Sequence, residues 1–167
     1  MDEPIISRGE HWELVAAMRA TWRALEASGV NDLEVAGTAA YWLTTIDEFA
    51  SVHVPAYTGR RASDGMTDLV RGIAFARNTI THSLTRPIKQ SGLTFPIVFP
   101  ISFGDLVWAP GDSVEQDHVD RGGWPHSRAK RHGYRVRLQG RPYKDPLKEA
   151  AVWQSRILAL PSSADAS

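Results

Sequence analysis

Apolar side chains recur every three or four residues through the first half of the chain, which is the period of an amphipathic α-helix. The first such stripe predicts helix 1 over about 8–28. Two tryptophans, Trp12 and Trp22, fall on this stripe, so we expect both to contribute to the core.

Two further helices are predicted from the same period. Helix 2 is capped by Asn31 or Asp32 and ends before Pro55, because the residue before a proline avoids helical geometry. Residues 57–65, YTGRRASDG, lack the period and are predicted to form a loop. Helix 3 is predicted over about 65–85, with an apolar face and a polar face.

The period changes after helix 3. Six apolar residues alternate with other residues over 93–103, which predicts an extended segment with one buried face. Pro96 and Pro100 lie on the other face. Because proline cannot donate to a neighbouring strand, the segment is predicted to be an edge strand or an extended arm.

Glycine and proline are frequent over 105–148, which predicts a loop-rich region. The last helix is predicted to start at Asp145, whose following proline suits the first helical turn. These patterns predict a mainly α fold, a helical bundle of about four to five helices with an extended, loop-rich insertion at about 87–144, before the last helix. One domain is expected over 1–160, followed by a disordered tail over 161–167.

The composition of the 167 residues, 43 % of them hydrophobic, fits one compact domain. The absence of cysteine excludes disulfides, thiolate metal sites and thiol catalysis. No apolar run is long enough to span a membrane and no signal peptide is seen, so no membrane association and a cytoplasmic location are expected.

Glu115 and His118 match the Glu-x-x-His half-motif of di-iron bundles, but it occurs once and in a predicted loop. We therefore expect no metal and no cofactor.

Charge is segregated along the chain although the formal net charge is zero. Five acids and no Lys or Arg fall in 105–120, whereas nine Lys or Arg and one acid fall in 121–148. The basic tract is interleaved with rings that can stack on bases, namely Trp124, His132, Tyr134 and Tyr143, a composition that suits single-stranded RNA. Its candidate RNA-binding residues are Arg128, Lys130, Arg131 and Arg135. Alternatively, the acidic stretch neutralises the basic tract within the fold.

The end of helix 3, RNTITH, carries residue types that suit phosphodiester chemistry without a metal. Arg77 can hold a phosphate through two parallel hydrogen bonds, and His82 can move a proton near neutral pH. Asn78 lies one helical turn from His82, so both can act on one ligand. We take Arg77, Asn78 and His82 as candidate catalytic residues. In the alternative interpretation, Arg77 is ion-paired inside the bundle and His82 caps the C-terminal carbonyls of its helix.

A polar stripe on helix 3 runs through Arg71, Phe75, Asn78 and His82, nearly opposite the apolar stripe. Arg71 and Phe75 are therefore predicted to lie on an RNA-binding face or on a dimer face. Arg77 falls within the apolar stripe, so its stem is expected to run along the core and its head to reach the site or an acidic partner.

Arg-Asn-x-x-x-His on a long helix of a small helical domain resembles the signature of the HEPN superfamily. The phrases GIAFARNTITH, TFPIVFP and YRVRLQGRPYKDPLKEA are similar to a group of small uncharacterised bacterial or phage proteins that share the motif. The resemblance covers roughly 65–160. It implies a HEPN-like helical bundle that forms a homodimer, in which two copies of the motif face each other.

Active members of that superfamily are metal-independent endoribonucleases, and many are toxins of toxin–antitoxin pairs or antiviral defence proteins. The resemblance implies attack by a ribose 2′-hydroxyl on the adjacent phosphate, with His82 as general acid or base, Arg77 stabilising charge and Asn78 orienting the phosphate. An acidic helper from an earlier helix is implied too, for which Asp47 and Glu48 are candidates. Other members have lost activity, so the alternative is a non-catalytic module that binds a partner protein, such as an antitoxin, or a nucleotide.

Overall fold

The computed structural model describes residues 11–27, 32–83, 87–90 and 106–162. Its elements in chain order are α1 (Trp12–Glu26), α2 (Asp32–His53), α3 (Tyr57–Ser63), α4 (Thr67–Ser83), β1 (Ile88–Gln90), β2 (Leu106–Trp108), α5 (Gly111–Asp120), α6 (Arg128–Arg137) and α7 (Lys144–Ile157). The protein is mainly helical, as predicted. None of the helices in these four ranges combines the length and the apolar character that crossing a membrane requires.

Four helices, α1, α2, α4 and α7, pack together around the main core. Leu43 of α2 and Met18 of α1 are among the fully buried side chains. Two buried donors fasten the C-terminal part of the chain to these helices. Gln154 Nε2 donates to the carbonyl of Leu43 at 3.0 Å, and Trp22 Nε1 donates to the carbonyl of Pro161 at 3.1 Å. Both of these donors are thus paired where α7 enters the core.

The most extensive helix pair is α4 with α6, and it is built on two glycines. A Cβ atom added to Gly72 would lie 2.8 Å from the carbonyl oxygen of Gly133. One added to Gly133 would lie 2.9 Å from the backbone nitrogen of Gly72. Only glycine allows the two backbones to approach so closely. This crossing packs α6 on the N-terminal half of α4, and Lys130 near the start of α6 reaches the cleft that Asn78 and His82 of the RNTITH motif line.

The strands β1 and β2 pair antiparallel, with Ile88 opposite Trp108. Buried Tyr134 of α6 holds this ribbon, because its hydroxyl donates to the carbonyl of Ala109 at 2.9 Å. Trp108 Nε1 donates to the carbonyl of Tyr143 at 3.1 Å, just before α7. The alternating segment 93–103 lies outside the described residues, so the edge-strand prediction stays a prediction.

Two regions predicted as loops are helical. Residues 57–63 form α3, which starts after Ala56 in the left-handed conformation, with φ of 63°. Its stability comes from polar contacts that hydrophobic spacing does not reveal: Asp47 accepts from the Tyr57 hydroxyl at 3.0 Å and pairs with Arg61 at 2.6 Å. The insertion likewise contains α5 and α6, short helices whose buried faces hold few apolar residues. The helix count therefore exceeds the predicted four to five within the described ranges.

The predicted positions of three helices are confirmed within a few residues, namely α2, α4 and α7. Helix α1 is also present, and the part of the prediction before residue 11 lies outside the described residues. Trp22 is buried as expected, but the expectation for Trp12 is wrong, since 73 % of this residue is exposed. The buried face of α1 is centred on Met18, and Trp12 lies about 120° away from it around the helix.

Candidate functional site

A cleft of about 620 Å³ lies where the C-terminal end of α4 meets the connection between α5 and α6. Asn78 and His82 of α4 form one wall. His118 of α5, the turn over 122–127 and Lys130 of α6 form the rest. The cleft therefore joins two regions that the sequence singled out separately, the RNTITH motif and the basic tract.

Asn78 and His82 face the same space, as their spacing of one helical turn requires. Asn78 is half-buried, and His82 is exposed. An amide and an imidazole in this setting can donate and accept hydrogen bonds to one ligand, and the imidazole can also transfer a proton.

Arg77, the third motif residue, does not line this cleft. Its Nη2 donates to Glu48 of α2 at 2.9 Å, and its side chain is only 19 % exposed. Its stem runs along the core, as predicted, and its head finds an acidic partner. Of the two acidic candidates, Glu48 contacts the motif, whereas Asp47 is occupied by Tyr57 and Arg61.

Arg71 is exposed and lies 3.8 Å from Asp68 one turn earlier on the same helix. Phe75 is fully buried, so the expectation that it lies on an exposed face is corrected. Its ring packs between those of His126, 4.4 Å away between centroids, and Tyr134, 4.6 Å away. This part of the polar stripe is buried under α6 and the segment that precedes it. The helical wheel of α4 alone cannot predict which other segment packs on it.

The buried imidazole of His126 lines the cleft, and the buried carboxylate of Glu115 is hydrogen-bonded to it. Glu115 Oε2 lies 2.6 Å from His126 Nδ1, and Glu115 Oε1 accepts from the backbone N–H of His126 at 2.8 Å. Burial lowers the pKa of His126 below its ordinary value, and this outweighs the opposing effects of the Glu115 hydrogen bond and charge. His126 is thus a neutral imidazole near neutral pH.

The other wall histidine, His118, is buried with its ring 4.5 Å from that of His126. Its Nε2 lies 3.1 Å from the carbonyl oxygen of Trp124. The chain turns tightly here: Gly122 has φ of 87°, and a Cβ atom on Gly123 would overlap the His118 ring. The turn presents Trp124 at the cleft with 90 % of its surface exposed, an uncommon position for an indole without a stacking partner.

The basic tract supplies a second concave surface on α6. Arg128, Arg131, His132 and Arg135 line a groove of about 400 Å³, because positions three, four and seven apart share one helix face. Lys130 lies on the cleft instead. The predicted neutralisation by the acidic stretch occurs in part, since Arg135 pairs with Asp112 and Arg131 lies 4.0 Å from Glu115.

The Glu-x-x-His spacing of Glu115 and His118 lies on helix α5 rather than in the predicted loop. His118 lines the cleft, whereas both Glu115 oxygens are occupied by His126. Across the described residues, no three His, Cys, Asp or Glu side chains are grouped so as to hold a metal ion.

Asn78, His82 and Lys130 were predicted as site residues and Trp124 as a stacking group of the basic tract, whereas His126 was not predicted as a cleft residue. The signal for His126 was weak, because its partner Glu115 is eleven residues away and no helical period joins them. Comparisons of the chain with protein-family models, with curated proteins and with solved structures gave no match.

Proposed function

We propose that the protein is a HEPN-like, metal-independent endoribonuclease whose cleavage site is the cleft at the end of α4. One observation carries the proposal: Asn78 and His82 of the motif share this cleft with Lys130 of the basic tract. A proton-transfer group, an orienting amide and a cation around one space are what cleavage of a phosphodiester by its neighbouring 2′-hydroxyl needs.

In this proposal His82 transfers a proton, Asn78 orients the phosphate and Lys130 attracts its charge. Trp124 at the rim offers an indole face on which one base can stack. The arginine groove on α6 then receives the adjoining phosphates. Because a cleft of this size admits only a small ligand at a time, the substrate is single-stranded RNA rather than a duplex.

In this proposal Arg77 acts in the homodimer that the motif implies. In one protomer its guanidinium is held by Glu48 and does not face the cleft. Facing motifs in a dimer would bring a second Arg77 to the shared centre, where it would stabilise charge on the phosphate. The toxic or antiviral role belongs to the same proposal, since RNA cleavage in the cell arrests growth.

The test is an assay on total RNA with purified protein and EDTA, comparing wild type with His82→Ala and His53→Ala. The two histidines are matched, because each is exposed in the last turn of its helix, but His53 ends α2 and does not line the cleft. We expect wild type and His53→Ala to leave 2′,3′-cyclic phosphate ends. His82→Ala should be at least about 100-fold slower, the usual contribution of a general acid or base.

Equal cleavage by His82→Ala would contradict the proposal. Growth arrest on expression, relieved by His82→Ala with the oligomeric state unchanged, is the matching result in cells.

A second candidate is a non-catalytic module of the same fold that binds a partner protein or a nucleotide. The Arg77–Glu48 pair favours it, because an arginine held by a carboxylate has a structural role without any substrate. A binding module would tolerate His82→Ala and lose its partner with Trp124→Ala, which removes the most exposed aromatic ring of the cleft.

A further inference from the structure

The buried pair of Glu115 and His126 has a geometry that fixes which nitrogen of the imidazole carries the proton. A carboxylate only accepts hydrogen bonds, so His126 Nδ1, 2.6 Å from Glu115 Oε2, must be the donor. In a neutral imidazole the proton on Nδ1 leaves Nε2 with a free lone pair. No hydrogen-bond partner for Nε2 occurs among the described residues, and His126 lines the cleft.

The orientation of the ring is fixed as well as its protonation. Glu115 holds both the backbone N–H and the side chain of His126, and the ring is packed on one side by Phe75. A carboxylate that fixes the tautomer and orientation of a histidine is the arrangement that prepares an imidazole to accept a proton from a hydroxyl. A histidine needed only for packing does not require two hydrogen bonds donated to one carboxylate.

We propose that His126 is a second proton-transfer residue of the cleft, acting as the general base, with Glu115 as its positioning residue and His82 as the general acid. This inference rests on the proposed ribonuclease function and assigns the roles within it. The 2′-hydroxyl loses its proton to His126 Nε2, and its oxygen forms a bond to phosphorus. The bond from phosphorus to the 5′-oxygen breaks, and that oxygen takes a proton from His82. The products are a 2′,3′-cyclic phosphate and a 5′-hydroxyl.

The electrostatic surroundings of His126 agree with the role of a base. Burial, His118 and Lys130 lower its pKa, while the hydrogen bond and the charge of Glu115 raise it. Arg131 lies 4.0 Å from Glu115 and so weakens the influence of that carboxylate. The imidazole is therefore neutral and ready to accept a proton at neutral pH.

Two conservative variants test the inference. In His126→Asn the amide nitrogen takes the place of Nδ1, so the hydrogen bond to Glu115 can be kept, whereas Nε2 is lost together with the ring that packs on Phe75 and His118. We expect kcat to fall at least about 100-fold, with KM changed by less than about threefold and an unchanged circular dichroism spectrum. In Glu115→Gln the charge that raises the His126 pKa is lost, so the acid limb of the kcat/KM profile should move to lower pH.

Each outcome supports or overturns the assignment. Cleavage by His126→Asn within about threefold of wild type, with His82→Ala inactive, would overturn this inference and leave the ribonuclease proposal standing. A fall in rate for Glu115→Gln without movement of the acid limb would assign the pair a structural role only. No cleavage by the folded wild-type protein would overturn both. His53→Asn, in the last turn of α2, is the control for histidine replacement as such.

Discussion

At the scale of single residues, the side chains in and around the cleft differ sharply in burial. Asn78 and His82 are accessible, and their joint position follows from helical spacing, so the sequence alone predicts it. The surroundings of Phe75 and His126 depend on which segment folds back over α4. No local pattern encodes that choice, and sequence reasoning therefore placed Phe75 on the surface and overlooked His126.

The buried neutral His126 makes the stability of the protein sensitive to pH. Its pKa in the folded state is lowered, so below about pH 6.5 the unfolded chain binds a proton that the folded protein does not. The free energy of unfolding should therefore fall as the pH drops from about 7 towards 5, and His126→Asn should make this fall shallower. Urea titrations at three pH values measure both slopes, and identical slopes would contradict the prediction.

At the scale of elements, the positions of α2, α4 and α7 could be predicted because each carries a long apolar stripe or a clear cap. Helices α5 and α6 could not, because α6 has ten residues, five of them basic, and buries little more than Gly133 and Tyr134. Its helical state is set by the cap at Ser127, whose side chain accepts from Lys130 N–H, and by close packing on α4. In the sequence Gly133 is among the residues that predict a loop, but in the structure it lies within α6 and allows that helix to pack closely on α4.

Alanine at the α4–α6 crossing should destabilise the protein. In Gly133→Ala the new methyl group would overlap the carbonyl of Asp68 and crowd Gly72, so backbone must shift. The expected loss is about 1–3 kcal/mol of unfolding free energy, typical of overpacking. Gly59→Ala on α3 is the matched control, since its methyl group would meet nothing within 4 Å. There the higher helix propensity of alanine should stabilise by about 0.5–1 kcal/mol.

Denaturant unfolding of the two variants gives both values. Equal stability of Gly133→Ala and wild type would show that the two helices separate without cost.

At the scale of the whole molecule, zero net charge conceals a local basic surface. The arginine groove and the cleft both lie along α6, so a strand bound in one can continue into the other. The segregation of charge could be predicted from sequence. The partial neutralisation of Arg135 by Asp112 could not, because it depends on how α5 lies against α6.

Loss of two groove arginines should weaken RNA binding in a salt-dependent way. For Arg128→Gln with Arg131→Gln, we expect the slope of log affinity against log salt concentration to fall by about 1.4, or about 0.7 for each lost phosphate contact. Fluorescence anisotropy with a 2′-O-methyl oligonucleotide, which lacks the attacking hydroxyl, measures this without cleavage. The pair Arg19→Gln with Arg23→Gln on α1 lies outside the groove and should leave the slope unchanged.

The crossing of α4 and α6 at Gly72 and Gly133 also fixes a sequence interval by which relatives of this chain can be recognised. One inserted residue between Gly72 and His82 would rotate the motif by about 100° relative to the crossing and turn it away from the cleft. The spacing of six residues from Gly72 to Asn78 and four more to His82 is thus part of the site. We expect distant homologues to preserve this interval, and a second helical glycine beside clustered arginines, even where all other sequence similarity has been lost.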